Sequence, residues 1–185
     1  MNLAAHEHQK YADIWQIDDY HKASMGRDYA GLFGRIVSPK RGSVLDIGCG
    51  AGEGGKALSE MYGLHVVYLD HVKVADLDPF IEQPLWQPIA GVYDYGYCVD
   101  VMEHLPEEFT MLAVRNILAA CERVFFVISF LPDRFGAFVG EPLHLTVRPF
   151  AWWRDRLREV GDLIDARDLL GRGVFVVGNE KHSLG

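Results

Sequence analysis

The chain has 185 residues, 49% of them hydrophobic, which suits one globular domain with a continuous core and leaves no room for a second large one. Its formal charge is −8, with 18 Lys and Arg against 26 Asp and Glu and no long basic run, so a nucleic-acid partner is disfavoured. Cys49, Cys98 and Cys121 are odd in number, far apart and set in apolar or glycine-rich surroundings, as reduced thiols are. The start "MNLAAHEHQKYADIW" lacks the basic and apolar regions of a secretion signal, and no apolar run approaches ~18 residues, so a cytoplasmic protein without membrane association is expected.

In chain order, residues 1–42 form an aromatic-rich, partly helical segment. Trp15 and Tyr29 are expected to pack on the core there, and residues 11–20 are a candidate lid. Residues 43–47, "SVLDI", read as a strand that runs into a turn carrying Gly48, Gly50, Gly52, Gly54 and Gly55, with a helix over 54–62. Residues 66–69, 93–99, 123–130 and 174–177 read as further strands, and a weaker one lies within 163–169. Pro106 opens a helix on which Phe109, Leu112, Ala113, Ile117 and Ala120 recur at helical spacing, and Pro149 opens another through 160 with Trp152, Trp153 and Leu157 on its inner side. Strands alternating with amphipathic helices predict an α/β, Rossmann-like, doubly wound domain: a mostly parallel sheet of about seven strands with helices on both faces. The core is residues 43–185, preceded by the 1–42 segment.

A strand that stops at a glycine turn and restarts as a helix brings backbone amides and a helix N-terminus to a ligand. Gly50, Gly52 and Gly55 also satisfy the dinucleotide pattern G-x-G-x-x-G. Charge separates the two ligand classes. Asp46 and Glu53 flank the turn, where a carboxylate repels a pyrophosphate but attracts a cationic ligand carrying sulfonium and ammonium groups.

With Asp46, Gly48, Gly50 and Gly52 in an acid-x-Gly-x-Gly-x-Gly pattern, the sequence resembles the class I S-adenosylmethionine-dependent methyltransferases. The likeness runs from about residue 43 to 130. It includes Asp70 at the end of "HVVYLD", where the family holds the ribose hydroxyls, and "YDYGYCVDVMEHLPEE", which resembles its fourth strand leaving through Asp100. "EPLHLTVRPFAWWRDRL" is similar to the His-then-helix block of small phage and bacterial members. The resemblance implies S-adenosylmethionine as cofactor, S-adenosylhomocysteine as product, and Asp46, Gly48, Cys49, Gly50, Gly52, Asp70, His71, Asp100 and Val101 as the residues that hold them. One departure is the proline-rich "HVKVADLDPFIEQPLWQPIAG", too short for the usual helix, in which Asp76 and Asp78 are candidates for the adenine contact.

Methyl transfer needs nucleophile and sulfonium held at attack distance and water excluded, with a base only where the nucleophile must lose a proton. His104 and His144 both fall on the strand-end side of the sheet and are the candidate catalytic residues. The remaining histidines, His6, His8, His21, His65, His71 and His182, show no metal-ligand spacing, and no metal is expected. Asp100 is followed by Val101, Met102 and Glu103 instead of Pro-Pro-aromatic, which removes the main support for base methylation. A small-molecule hydroxyl or amine is the leading acceptor. The alternatives are a nucleic-acid methyltransferase, a non-catalytic adenosylmethionine- or nucleotide-binding module, and an NAD-dependent reductase.

Overall fold

Val44 faces one side of the sheet while Leu45 and Ile47 face the other, and none of the three is more than 1% exposed. An apolar run buried on both faces belongs at the centre of a parallel sheet, and β1 (Ser43–Ile47) lies there in the computed structural model, which describes residues 3–22 and 24–179. His182 lies outside them. The seven strands run in the order β3 (Phe80–Glu82), β2 (His65–Asp70), β1, β4 (Tyr93–Val99), β5 (Cys121–Ser129), β7 (Arg172–Gly178), β6 (Asp162–Asp168). The first five are parallel neighbours; β7 is antiparallel to both β5 and β6.

Alternation along the strands assigns the two cores. Phe125 and Val127 join Val44 and Tyr97 beneath α3 (Gly26–Val37) and α4 (Glu53–Tyr62), whose Ala30, Phe33, Ala57 and Leu58 fill that face. Val124, Phe126 and Ile128 join Leu45 and Cys98 beneath α5 (Glu107–Ala120) and α7 (Phe150–Arg158), which contribute Val114, Ile117, Trp153 and Leu157. Burying such a side chain is worth about 1.5–3 kcal/mol. The chain order reverses between β1 and β4, so a crevice opens at their carboxyl ends. Across it lie α1 (Leu3–Ile14) and α2 (Asp18–Lys22), and α6 (Gly136–Val139) borders it.

The expected architecture is present, with differences in detail. β3 is an added strand within the proline-rich segment, where backbone pairing to Tyr68, Leu69 and Asp70 replaces the missing helix. The 163–169 segment is a full edge strand, and α7 stops at Arg158. Leu112 is 42% exposed, while Val114 and Leu118 take the inner positions of α5. All three cysteines are buried and free, and among the described residues no helix is long and apolar enough to cross a membrane.

Candidate active site

The turn after β1 is folded by its own backbone and by two carboxylates. Gly48 and Cys49 donate their N–H groups to the Leu69 carbonyl at 2.8 and 3.1 Å, and Gly52 donates to Cys49 at 2.8 Å. Gly50 N donates to Asp70 Oδ2 at 2.7 Å, and Gly55 N donates to Asp46 Oδ2 at 2.7 Å. Gly50 has φ +50°, and a Cβ there would collide with the indole of Trp15. Only glycine permits both the left-handed backbone and the close ring.

Asp70 is held at both oxygens, since His71 N donates to Oδ1 at 2.6 Å. Val72 N–H is a third backbone donor to this carboxylate, which still lines the cavity and has acceptor capacity left for another donor. Burial raises its pKa, opposed by the N–H groups of Gly50 and His71. Asp46 is 4% exposed and turned toward the start of α4; burial pushes its carboxyl up to about 7, against the pull of the Gly55 N–H. Asp100, at the end of β4, has φ +61°, a strained conformation for a non-glycine residue and of the kind that collects at functional sites. Its Oδ1 is buried without a hydrogen-bond partner, the Arg172 Nη2 standing 3.6 Å away.

A cavity of about 170 Å³ joins these residues, far above the ~10–15 Å³ that one water requires. Its walls include Gly48, Cys49, Gly50, Asp70, His71, Asp100 and Val101 on the strand-end side, with Gln83, Leu85 and Trp86 below. The N-terminal segment closes it with Glu7, Tyr11, Trp15 and Tyr20, and Asp133, Phe135 and Leu143 form the far wall with His104 and His144. No lysine or arginine is among the residues lining it. Two cations stand behind wall acids: the Lys10 ammonium, tied to Glu7 at 2.6 Å, and the Arg172 guanidinium beside Asp100.

His104 and His144 meet edge-to-face with ring centres 4.7 Å apart. His104 Nδ1 shares a 2.8 Å hydrogen bond with the Tyr11 hydroxyl, and burial, helped by His144, lowers its pKa to about 4, so it is neutral. His144 Nδ1 lies 2.6 Å from the Leu131 carbonyl. The loop carrying His144 is fastened to the 3₁₀ turn Met102–His104: Leu145 N and Thr146 N donate to the Glu103 carbonyl at 2.8 and 2.9 Å. Glu103 is fully buried, accepts Ser129 N at 2.5 Å, and is driven well above the usual carboxylate range by burial and by Asp100.

Several sequence-based expectations are therefore revised. Asp46 and Gly52 stand behind the cavity wall and support the turn. Glu53 faces solvent, where Lys56 at 3.0 Å offsets its charge, so the acids that count are those of the wall. Asp76 and Asp78 are exposed and away from the cavity, because Leu77 between them turns inward under Gly52. Trp15 packs on the glycine turn and the cavity, not against the sheet. Tyr29 does pack on the core beneath α3. Tyr11 and Tyr20 fell within the lid candidate 11–20 of the aromatic-rich first segment, whereas Trp86, Asp133 and Phe135 carried no signal in the sequence. Among the described residues no group of three or more His, Cys, Asp or Glu is arranged to hold a metal ion.

No protein-family model and no curated protein sequence matches the chain. Solved structures do. The magnesium protoporphyrin IX methyltransferase ChlM of Synechocystis PCC 6803 with bound SAH is 17% identical, with a TM-score of 0.63 over 92% of this chain and 93% of that one. The DhpI–SAH complex is 17% identical, with a TM-score of 0.68 over 92% and 94%. The cyclase SpnF is 12% identical, with a TM-score of 0.66 over 83% and 81%. At such identities the likeness is one of fold: the chain has the Rossmann-like class I methyltransferase fold. Because one fold hosts different reactions, the activity has to be argued from the site.

Proposed function

We propose that this chain is an S-adenosylmethionine-dependent methyltransferase acting on a hydroxyl or amine of a small molecule. The observation that carries the reading is the state of the glycine turn. The amides of Gly48, Cys49, Gly50, Gly52 and Gly55 are already taken, two of them by Asp70 and Asp46, and the cavity lining carries acids but no lysine or arginine. Such a turn has little left for a pyrophosphate and suits a cationic ligand. Asp100 Oδ1, which has no hydrogen-bond donor and only the Arg172 guanidinium at 3.6 Å, and the Asp70 carboxylate fit the cofactor's ammonium-bearing end and its ribose hydroxyls. Two neighbours of the same fold, ChlM and DhpI, were solved with S-adenosylhomocysteine.

In this reading Asp70 accepts the ribose hydroxyls. Gly48, Cys49 and Gly50 let the methionine part lie against bare backbone, Asp46 holds the turn from behind, and His71, Asp100 and Val101 complete the cradle. Bound there, the cofactor supplies a methyl group on a sulfonium, which leaves as a neutral thioether. His104 and His144 orient the acceptor, and the α1–α2 part of the N-terminal segment is the lid of a single domain, excluding water through Tyr11, Trp15 and Tyr20. The acidic wall gives a nucleic-acid acceptor no phosphate contact.

Calorimetric titration with S-adenosylhomocysteine and with NAD tests the reading. Binding of the first and not the second is expected; binding of NAD alone would overturn it.

A further inference from the structure

The two histidines of the cavity hold their protons differently. A carbonyl oxygen only accepts, so the 2.6 Å contact between His144 Nδ1 and the Leu131 carbonyl puts the proton on Nδ1 and leaves the lone pair on Nε2. His104 has no such definition, because its partner, the Tyr11 hydroxyl, both donates and accepts.

Asp133 fixes the loop on which His144 rides. Its Oδ1 accepts Gly136 N at 2.5 Å, and its Oδ2 accepts Leu143 N at 2.8 Å and His144 N at 3.1 Å. Burial works against the charge of Asp133, yet these amides and the facing His144 hold its carboxyl below the ordinary range, so an anion stands beside the imidazole. The other groups facing His144 are His104 at 4.7 Å and, through it, Tyr11. Glu103, the remaining acid that fastens the loop, does so through its backbone carbonyl.

Aromatic rings also line the chamber. Tyr20 and Phe135 meet edge-to-face at 5.5 Å, and Tyr11 lies beside them on the lid. Glu7 is paired with Lys10 and Asp100 faces Arg172, but the wall acids Asp70 and Asp133 have no lysine or arginine partner, so the chamber penalises a carboxylate or phosphate and accepts a flat neutral ring.

We propose that the acceptor is an uncharged aromatic hydroxyl compound and that His144 Nε2, not His104, takes its proton. The inference rests on the methyltransferase reading above. As the acceptor's oxygen forms its bond to the methyl carbon, the carbon–sulfur bond breaks with its electron pair going to sulfur, and the hydroxyl proton moves to Nε2. The resulting imidazolium keeps its Nδ1–H on Leu131 and faces the Asp133 carboxylate. His104 stays a neutral neighbour that shapes the chamber.

The test uses the full chain, labelled with ¹⁵N in histidine and saturated with S-adenosylhomocysteine, with phenol and benzoate as probes. At alkaline pH, His144 is expected to carry its proton on Nδ1. Phenol is expected to shift its Nε2 resonance, and benzoate to leave it in place. In His104→Ala the phenol response of His144 survives; in His144→Gln phenol moves no other imidazole nitrogen comparably. A proton on Nε2 of His144, no response to phenol, or benzoate binding as tightly as phenol would each overturn the proposal. Binding of S-adenosylhomocysteine, read separately by calorimetry, distinguishes its failure from failure of the methyltransferase reading.

Discussion

The Tyr11 hydroxyl and His104 Nδ1 stand 2.8 Å apart across 93 residues of sequence, tying the first helix to the turn that follows β4. Other ties along α1 are more exposed: His6 to Glu141 at 3.0 Å and His8 to Glu82 at 3.4 Å. Exposed pairs of this kind contribute little, about 0–1 kcal/mol, so the buried Tyr11–His104 bond is the firmer hold. Tyr11→Phe leaves a buried nitrogen without its partner and should destabilise the closed segment by about 1–3 kcal/mol. Hydrogen exchange checks this: the amides of α1 should exchange faster in the variant while those of β4 and β5 do not change. Equal exchange in the two proteins would mean that the bond is incidental to closure.

Asp70 serves two purposes in one carboxylate, folding the turn through the N–H groups of Gly50, His71 and Val72 and presenting its remaining acceptor capacity to the cavity. Asp70→Asn places an amide where Gly50 N needs an acceptor and removes the charge. Binding of S-adenosylhomocysteine should weaken by about 1–3 kcal/mol, the range for losing a buried hydrogen-bond partner. Calorimetry on wild type and variant gives the number, and unchanged affinity would remove Asp70 from the cofactor site.

What the sequence disclosed and what it withheld follow from the range of the forces involved. β1, β4 and β5 are apolar runs buried on both faces, and α5 and α7 open on Pro106 and Pro149, so local pattern and backbone chemistry identify them. β3 is legible only through its neighbour: Phe80, Ile81 and Glu82 make no pattern, and pairing with Tyr68 to Asp70 alone makes them a strand. The site divides in the same way. Gly48, Gly50 and Asp70 announce themselves because a turn between strand and helix demands those residue types in that order. Tyr11, Trp15 and Asp133 arrive from other parts of the chain, and their residue types fit a core or a loop equally well. For Asp46 the motif gives the position of a carboxylate and not its direction, and only the fold turns it to the Gly55 amide at the start of α4.

Trp15 lies so close to Gly50 that no Cβ fits between them. Gly50→Ala should therefore lose stability twice, by about 1–2 kcal/mol for the left-handed backbone and by displacement of the indole. The two losses separate in a double-mutant cycle. In a Trp15→Ala background the steric part of the Gly50→Ala cost should vanish and the backbone part remain, giving a coupling between the sites. Additive effects would show that the ring has another place to go, and Trp15 would then not be a fixed wall of the cavity.

Stability should depend on pH through two buried groups of opposite sign. The Asp46 carboxyl is raised from 3.8 to about 7 by burial, so between these values the folded chain holds a proton that the unfolded chain has lost. Stability from this group is full below about pH 4 and falls as pH rises toward 7, at about 1.4 kcal/mol per pH unit. His104 is lowered from 6.5 to about 4, so in that window the unfolded chain holds the extra proton, and stability falls as pH drops. Between about pH 4 and 6.5 the two slopes offset each other, and the wild-type curve alone reports neither. Denaturant titrations of Asp46→Asn and His104→Asn across this range uncover them. Relative to wild type, the first should gain stability as pH rises toward 7, and the second should gain stability as pH falls below 6.5. A pH-independent difference for Asp46→Asn would mean that Asp46 is ionised throughout, with the Gly55 amide and the start of α4 outweighing the cost of burial. The folded turn would then carry a fixed negative charge before any cationic cofactor arrives.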